Sequence, residues 1–192
     1  MTSESPRKGN AALGSPVSTP AKVTAGEALD PRALATKMFD DLRAMSLDGE
    51  GVSRPTYGAG ETEALRYVAK LAETEGLETW FDAASNLVVE LPGADPSRPF
   101  MATGSHMDSV PQGGNYDGAA GIVAGMLALI RMKRSGNTPP RAIRLYGLRG
   151  EESAWFGRCY LGSMALFGTF PPDDMACPHR DDGQSQIGRA HV

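Results

Sequence analysis

One histidine, two aspartates and a pair of adjacent glutamates stand at spacings that could hold metal ions. The stretch GSHMDSVPQGGNYDGAAGIVAGM places His106 two residues before Asp108 and eleven before Asp117, and LRGEESAWFG sets Glu151 beside Glu152. A neutral imidazole is a good ligand for zinc or a similar divalent ion. A ligating histidine usually donates its other ring N–H to a carboxylate, and Asp108, on the same side of an extended segment, suits that role. His-X-Asp alone is short and common, and it also occurs where a turn's backbone satisfies the histidine. Asp117 directly precedes the apolar run GAAGIVAGMLALI, a place where aspartate often caps a helix. Gly113 and Gly114 leading into it favour a loop drawn closely around an ion, and a carboxylate at that turn can bridge two cations. Taken alone, Glu151 and Glu152 read as acids set against a helix macrodipole. Adjacent carboxylates at a strand end cannot both point the same way, however. One could bind metal while the other faces water as general base.

These residues need elements to hold them. PRALATKMFDDLRAMSL predicts a helix over 31–46, with Pro31 at its first position and Leu34, Met38, Leu42 and Met45 on one face. GEGVSRPTYGAG reads as a loop. A second amphipathic helix follows over 61–76, with Leu65, Val68, Ala69 and Leu71 inward and Gly76 as its stop. Strands are predicted over 77–82, 86–92, 99–106 and 142–150, and helices over 117–133 and 153–168. Strands alternating with helices imply an α/β protein, a three-layer sandwich around a mixed, largely parallel sheet. In such sheets ligands gather at the carboxyl ends of the strands, where His106, Glu151 and Glu152 all fall. Trp80 and Phe81 are expected in the core, and Trp155 and Phe156 in packing. Arg54 either reaches the site or is an ordinary loop arginine; Arg149 balances the charge of the acidic pair.

Composition bounds the remaining possibilities. The 192 residues are 41% hydrophobic and 22% charged, ordinary for a globular domain large enough to bury a core. A net charge of −4 argues against nucleic-acid binding. No apolar run has the length of a membrane span, since the candidate at 119–132 is broken by Gly121 and Gly125. Residues 1–29, rich in Ser, Thr, Pro and Gly with no apolar segment, read as a disordered arm rather than a secretory signal. Cys159 and Cys177 form no framework and are expected as reduced thiols in a cytoplasmic protein.

With both motifs in view, GSHMDSVPQGGNYDGAAGIVAGM followed by LRGEESAWFGRCYLGS resembles the amidase, hydantoinase/carbamoylase family of two-metal hydrolases. GEGVSRPTYG and FDAASNLVVELPG extend the likeness over about residues 30 to 185. The resemblance implies two divalent metal ions, zinc foremost, with manganese, cobalt or nickel as alternatives. It implies that His106 binds one ion, Glu152 the other and Asp117 both, with Glu151 as general base and Asp108 orienting His106. It implies hydrolysis of a linear amide or ureido C–N bond in a small molecule such as an N-carbamoyl amino acid or an allantoate-like compound. A deacylase or dipeptidase of the same superfamily is the alternative. A homodimer is implied for the full-length protein; substrate-contacting residues are not assigned.

The likeness is partial. The family pattern calls for two more histidines downstream, and only His179 and His191 remain. His179 lies 27 positions after Glu152, too close for the family's next ligand, and is expected to be solvent-exposed. The lid and dimerisation domain is expected to be absent, so residues 30–170 form a partial catalytic domain, followed by an irregular tail over 171–192. Such a chain is expected to be inactive alone. The final QIGRAHV matches a translation of the start of a common sequencing adapter, which predicts that Ile187 to Val192 are not biological.

Overall fold

The computed structural model describes residues 29–171, 173 and 176–185. The expected arm, save Leu29, and the adapter-like end lie outside these residues.

Helix α1, Pro31–Ser46, opens as its sequence requires. The Asp30 carboxylate accepts the N–H groups of Arg32 and Ala33 at 3.0 Å each, while Pro31 has no N–H to satisfy. Met38 and Leu42 are buried. Met45, expected inward, is exposed. Ser46, one turn beyond Leu42, takes the buried position and donates its hydroxyl to the Leu42 carbonyl at 2.6 Å.

A small hairpin, β1 (Leu47–Asp48) with β2 (Gly51–Val52), leads into the stretch read as a loop, its second strand inside that stretch. Helix α2 spans Ala59–Thr74 and ends before Gly76, as expected. The remaining elements are β3 (Glu78–Phe81), β4 (Leu87–Leu91), β5 (Met101–His106), α3 (Ala119–Arg134), β6 (Ile143–Leu148) and α4 (Leu161–Leu166). The helix expected over 153–168 shrinks to this last short piece. Residues 153–156 form a turn, and Tyr160 sits in the left-handed region at φ 63°, which a continuous right-handed helix cannot contain.

Four strands form one sheet in the order β3-β4-β6-β5. The α/β class and the mixed sheet are as expected, with a smaller parallel share: only β5 and β6 run parallel, and the other two pairings are antiparallel. That one parallel pair positions the site. Its register sets His106 opposite Leu148, so the carboxyl ends of β5 and β6 lie side by side. Helices α2 and α3 bury one sheet face, where Leu65, Val68, Ile122 and Met126 meet Leu87, Val89 and Leu145, and α1 packs against both helices.

The other face differs from the expected third layer. Among the described residues no long helix covers it, and α4 reaches only its corner, where Leu166 and Phe167 flank a groove with Phe100, Ala102 and Tyr146. Trp80 and Phe81, expected in the core, stand 37% and 43% exposed on edge strand β3, which pairs only with β4. The Arg144 guanidinium lies 4.0 Å from the Phe100 ring and 5.1 Å from Trp80, and it also pairs with Glu90. Its planar cation shields part of this apolar surface.

Candidate metal centre

His106 closes β5, and its ring is held from behind. Nδ1 lies 3.0 Å from the Asp108 carbonyl and 3.3 Å from Asp108 Oδ1, an arrangement in which Nδ1 carries the proton. Nε2 then faces the acids, 3.6 Å from Asp117 Oδ1 and 3.7 Å from Glu151 Oε2. Burial alone would lower the imidazole pKa. Asp108 and Glu151 outweigh it and raise the pKa to about 9. The negative field that holds a proton there would equally favour a divalent cation.

Asp108 does more than orient a histidine. It is fully buried, and its two oxygens receive the Glu151 N–H at 3.0 Å, the Glu152 N–H at 3.1 Å and the Thr56 hydroxyl at 2.7 Å. One carboxylate thus ties the end of β5 to the loop after β6. Burial raises the pKa of Glu152, and Asp117 adds to the rise, the sign of acids crowded at one point.

Asp117 is not the helix cap. The N-cap of α3 is Gly118, with no side-chain bond. The Asp117 carboxylate, 64% exposed, therefore remains outside the helix and close to His106. Gly113 and Gly114, expected to free the loop, have no positive φ; Gly113 pairs with Val52 through backbone bonds of 2.8 and 3.0 Å. Gly118 is the glycine that matters. It has φ +65°, and a Cβ there would come within 2.6 Å of His106 Nδ1 and Cε1. Gly118→Ala should cost about 1–2 kcal/mol from backbone strain alone. It should also push the His106 ring away, lowering divalent-ion affinity by about tenfold or more. Thermal unfolding and a cobalt titration of the variant check both parts.

One ligand atom each from His106, Glu151 and Glu152 lies within 4.8 Å of the others. Asp117 approaches His106 but falls outside that mutual group. An imidazole with carboxylates is a donor set that zinc, manganese, cobalt or nickel can use, so the residues fit a divalent ion.

Three neighbours differ from expectation. Arg149 does not balance the acidic pair. It is buried, with Nε 2.6 Å from Glu61 Oε2 and its guanidinium 4.7 Å over the Tyr57 ring. Arg54 takes neither role foreseen for it: fully buried, it donates Nε to the Met107 carbonyl at 2.6 Å and bonds Ser109 through its own backbone. It braces the segment that carries His106 and Asp108. His179 is buried rather than exposed, stacked on Trp155 at 5.6 Å and edge-on to Phe156. The loop between Pro178 and Ser185 folds it in, and it does not join the donors around His106. Trp155 and Phe156 pack as expected, and the Trp155 indole N–H also reaches the Ser109 carbonyl at 2.7 Å. Sequence reasoning missed Thr56 and Glu61. Glu61, an acid in the first turn of α2, resembled an ordinary response to the helix dipole.

Fold and site together define an α/β protein with a metal-binding type of donor cluster at the carboxyl ends of its parallel strand pair. Residues 86–176 match the model for Peptidase family M28. A ureidoglycolate hydrolase of Arabidopsis thaliana is 36% identical over 132 residues, 68% of this chain and 28% of the relative. An allantoate amidohydrolase of Bacillus subtilis is 36% identical over 140 residues, 73% and 34% of the respective chains. The crystal structure of a hydantoinase/carbamoylase family amidase from Burkholderia ambifaria superposes with a TM-score of 0.71 at 27% identity, over 81% of this chain and 39% of that one. The chain is thus similar to members of the amidase, hydantoinase/carbamoylase family over most of its described residues. It spans about a third of the length of the curated relatives it matches.

Proposed function

We propose that this chain carries part of the centre of a divalent-metal hydrolase that cleaves a linear amide or ureido C–N bond of a small molecule. The observation behind the reading is the convergence of His106, Glu151 and Glu152, with Asp117 beside them, at paired strand ends. The relatives, named for hydrolysis of ureidoglycolate and of allantoate, support the substrate class; N-carbamoyl amino acids belong to the same ureido chemistry.

In this reading His106, Asp117 and Glu152 would hold two divalent ions, with zinc the favoured metal. The ions, when bound, supply Lewis acidity. The chain's own residues do the rest. Glu151 takes a proton from the attacking water and returns it to the leaving nitrogen. Asp108 would hold the Nδ1 proton of His106, leaving Nε2 as the ring atom able to bind a metal. Asp108 also fixes the backbone of both glutamates, so neither must reorganise as charge develops. Among the described residues no helix is long and apolar enough to cross a membrane. We place the enzyme in the cytoplasm and its whole chain in a homodimer.

Cobalt titration of the 192-residue chain tests the metal part. Fewer than two equivalents should bind tightly, with a chelator removing them and His106→Ala abolishing uptake. Cobalt uptake indifferent to His106→Ala would remove this residue, and the centre built on it, from the reading.

A further inference from the structure

Behind the two glutamates, three consecutive backbone N–H groups each end on an oxygen of a buried carboxylate. Glu151 and Glu152 donate to Asp108, as described, and Gly150 donates to Glu61 Oε1 at 3.1 Å. Glu61 lies 89 residues earlier in the chain, in the first turn of α2, and is fully buried. Its other oxygen receives the Tyr57 N–H at 2.7 Å and Arg149 Nε at 2.6 Å. Arg149 Nη2 is occupied in turn by the Thr62 hydroxyl at 2.7 Å. The contacts of Arg149 and Gly150 among these fall on the two residues just before Glu151.

A buried ion pair is by itself weak evidence of a stabilising role. Desolvating two charges offsets most of their attraction, and a well-packed apolar pair of similar volume commonly serves a fold as well or better. What the pair adds is direction. Gly150 has φ +64°, and glycine has little backbone preference of its own. The course of the chain as it leaves β6 must therefore be set from outside, and the Gly150 N–H has Glu61 as its partner.

We propose that Glu61, with Arg149 as its counter-ion, is a positioning residue that aims Glu151 and Glu152 at His106. It touches neither ions nor substrate and acts through the Arg149–Gly150 backbone. The proposal rests on the metal reading above for its purpose, and its test separates the two.

The test uses the full 192-residue chain and two variants. Glu61→Met/Arg149→Met removes both charges while roughly keeping volume; Glu61→Gln keeps one acceptor oxygen but turns an amide NH2 toward donors. Three readouts are taken: thermal unfolding, cobalt affinity, and hydrogen exchange of the Gly150, Glu151 and Glu152 amides. The double variant should melt several degrees below wild type, because the Tyr57 and Gly150 N–H groups lose their acceptor, and at a temperature where it is folded it should bind cobalt about tenfold more weakly and exchange those amides faster. Glu61→Gln should move affinity and exchange in the same direction, and it decides the matter if the double variant does not fold. Unchanged affinity with unchanged amide protection in a folded variant overturns the proposal. If wild type takes up no cobalt, the metal reading has failed on its own. Amide exchange then decides: faster exchange in the variants supports the positioning role, and unchanged exchange overturns it.

Discussion

Asp108→Ala is expected to destabilise the protein by about 3–5 kcal/mol, the range seen when one member of a buried charged network is removed. The carboxylate is fully buried and receives the N–H groups of Glu151 and Glu152, the Thr56 hydroxyl and the approach of His106 Nδ1. Alanine would leave all of these facing a void, and each buried donor without an acceptor costs about 1–3 kcal/mol unless water enters. For a domain of this size the melting temperature should fall by roughly 10 °C. Cobalt affinity should fall with it, because the histidine and both glutamates lose their common anchor. Asp108→Asn should be milder, since one oxygen remains to accept while the NH2 meets a donor. Thermal and urea unfolding of the two variants decide the point. A change of less than about 2 °C for the alanine variant would show that the four contacts are not holding the site.

Glu151→Gln should separate chemistry from binding. Glutamine fills the same space and keeps the backbone N–H on Asp108, but it cannot take a proton from water. If Glu151 is the general base of the proposed ureido hydrolysis, turnover should fall by about two to four orders of magnitude. Cobalt affinity of the 192-residue chain should meanwhile change little. The opposite pattern, affinity lost along with turnover, would make Glu151 a ligand, a role its 3.7 Å approach to His106 Nε2 also permits. Glu152→Gln provides the contrast, with loss of affinity expected first. Measuring both variants in both assays assigns the two acids.

Much of this architecture was legible in the sequence because local rules governed it. The Asp30–Pro31 start of α1, the stop before Gly76 and the β5–α3–β6 alternation follow from caps and periodicity, and the alternation alone brought His106 and Glu151 to one end of the sheet. What was not legible depended on partners far along the chain. Trp80 and Phe81 have the composition of a core strand, but β3 is an edge, and edge status is a property of the sheet order. His179 looked like a surface residue because nothing local shows that its loop folds onto Trp155. Gly113 and Gly114 drew notice as a pair, whereas the glycine His106 requires is Gly118, hidden as the first letter of a helical run. Arg149 seemed to answer the acids beside it; its partner, Glu61, is 88 residues away.

That reach along the chain has a kinetic side. Arg54 meets Met107 across 53 residues, Thr56 meets Asp108 across 52, and Glu61 meets Gly150 across 89. Each contact closes a loop whose entropy must be surrendered before the bond exists, and such closures come late and slow a folding chain. The donor cluster is therefore among the last parts to assemble. An ion taken by this cluster would not nucleate the domain in the way it nucleates a small zinc finger, because His106 and the two glutamates meet only after β6 has docked beside β5. During synthesis the emerging chain must complete its sheet through Leu148 before the cluster can form, so any ion the cluster takes would meet a frame already built.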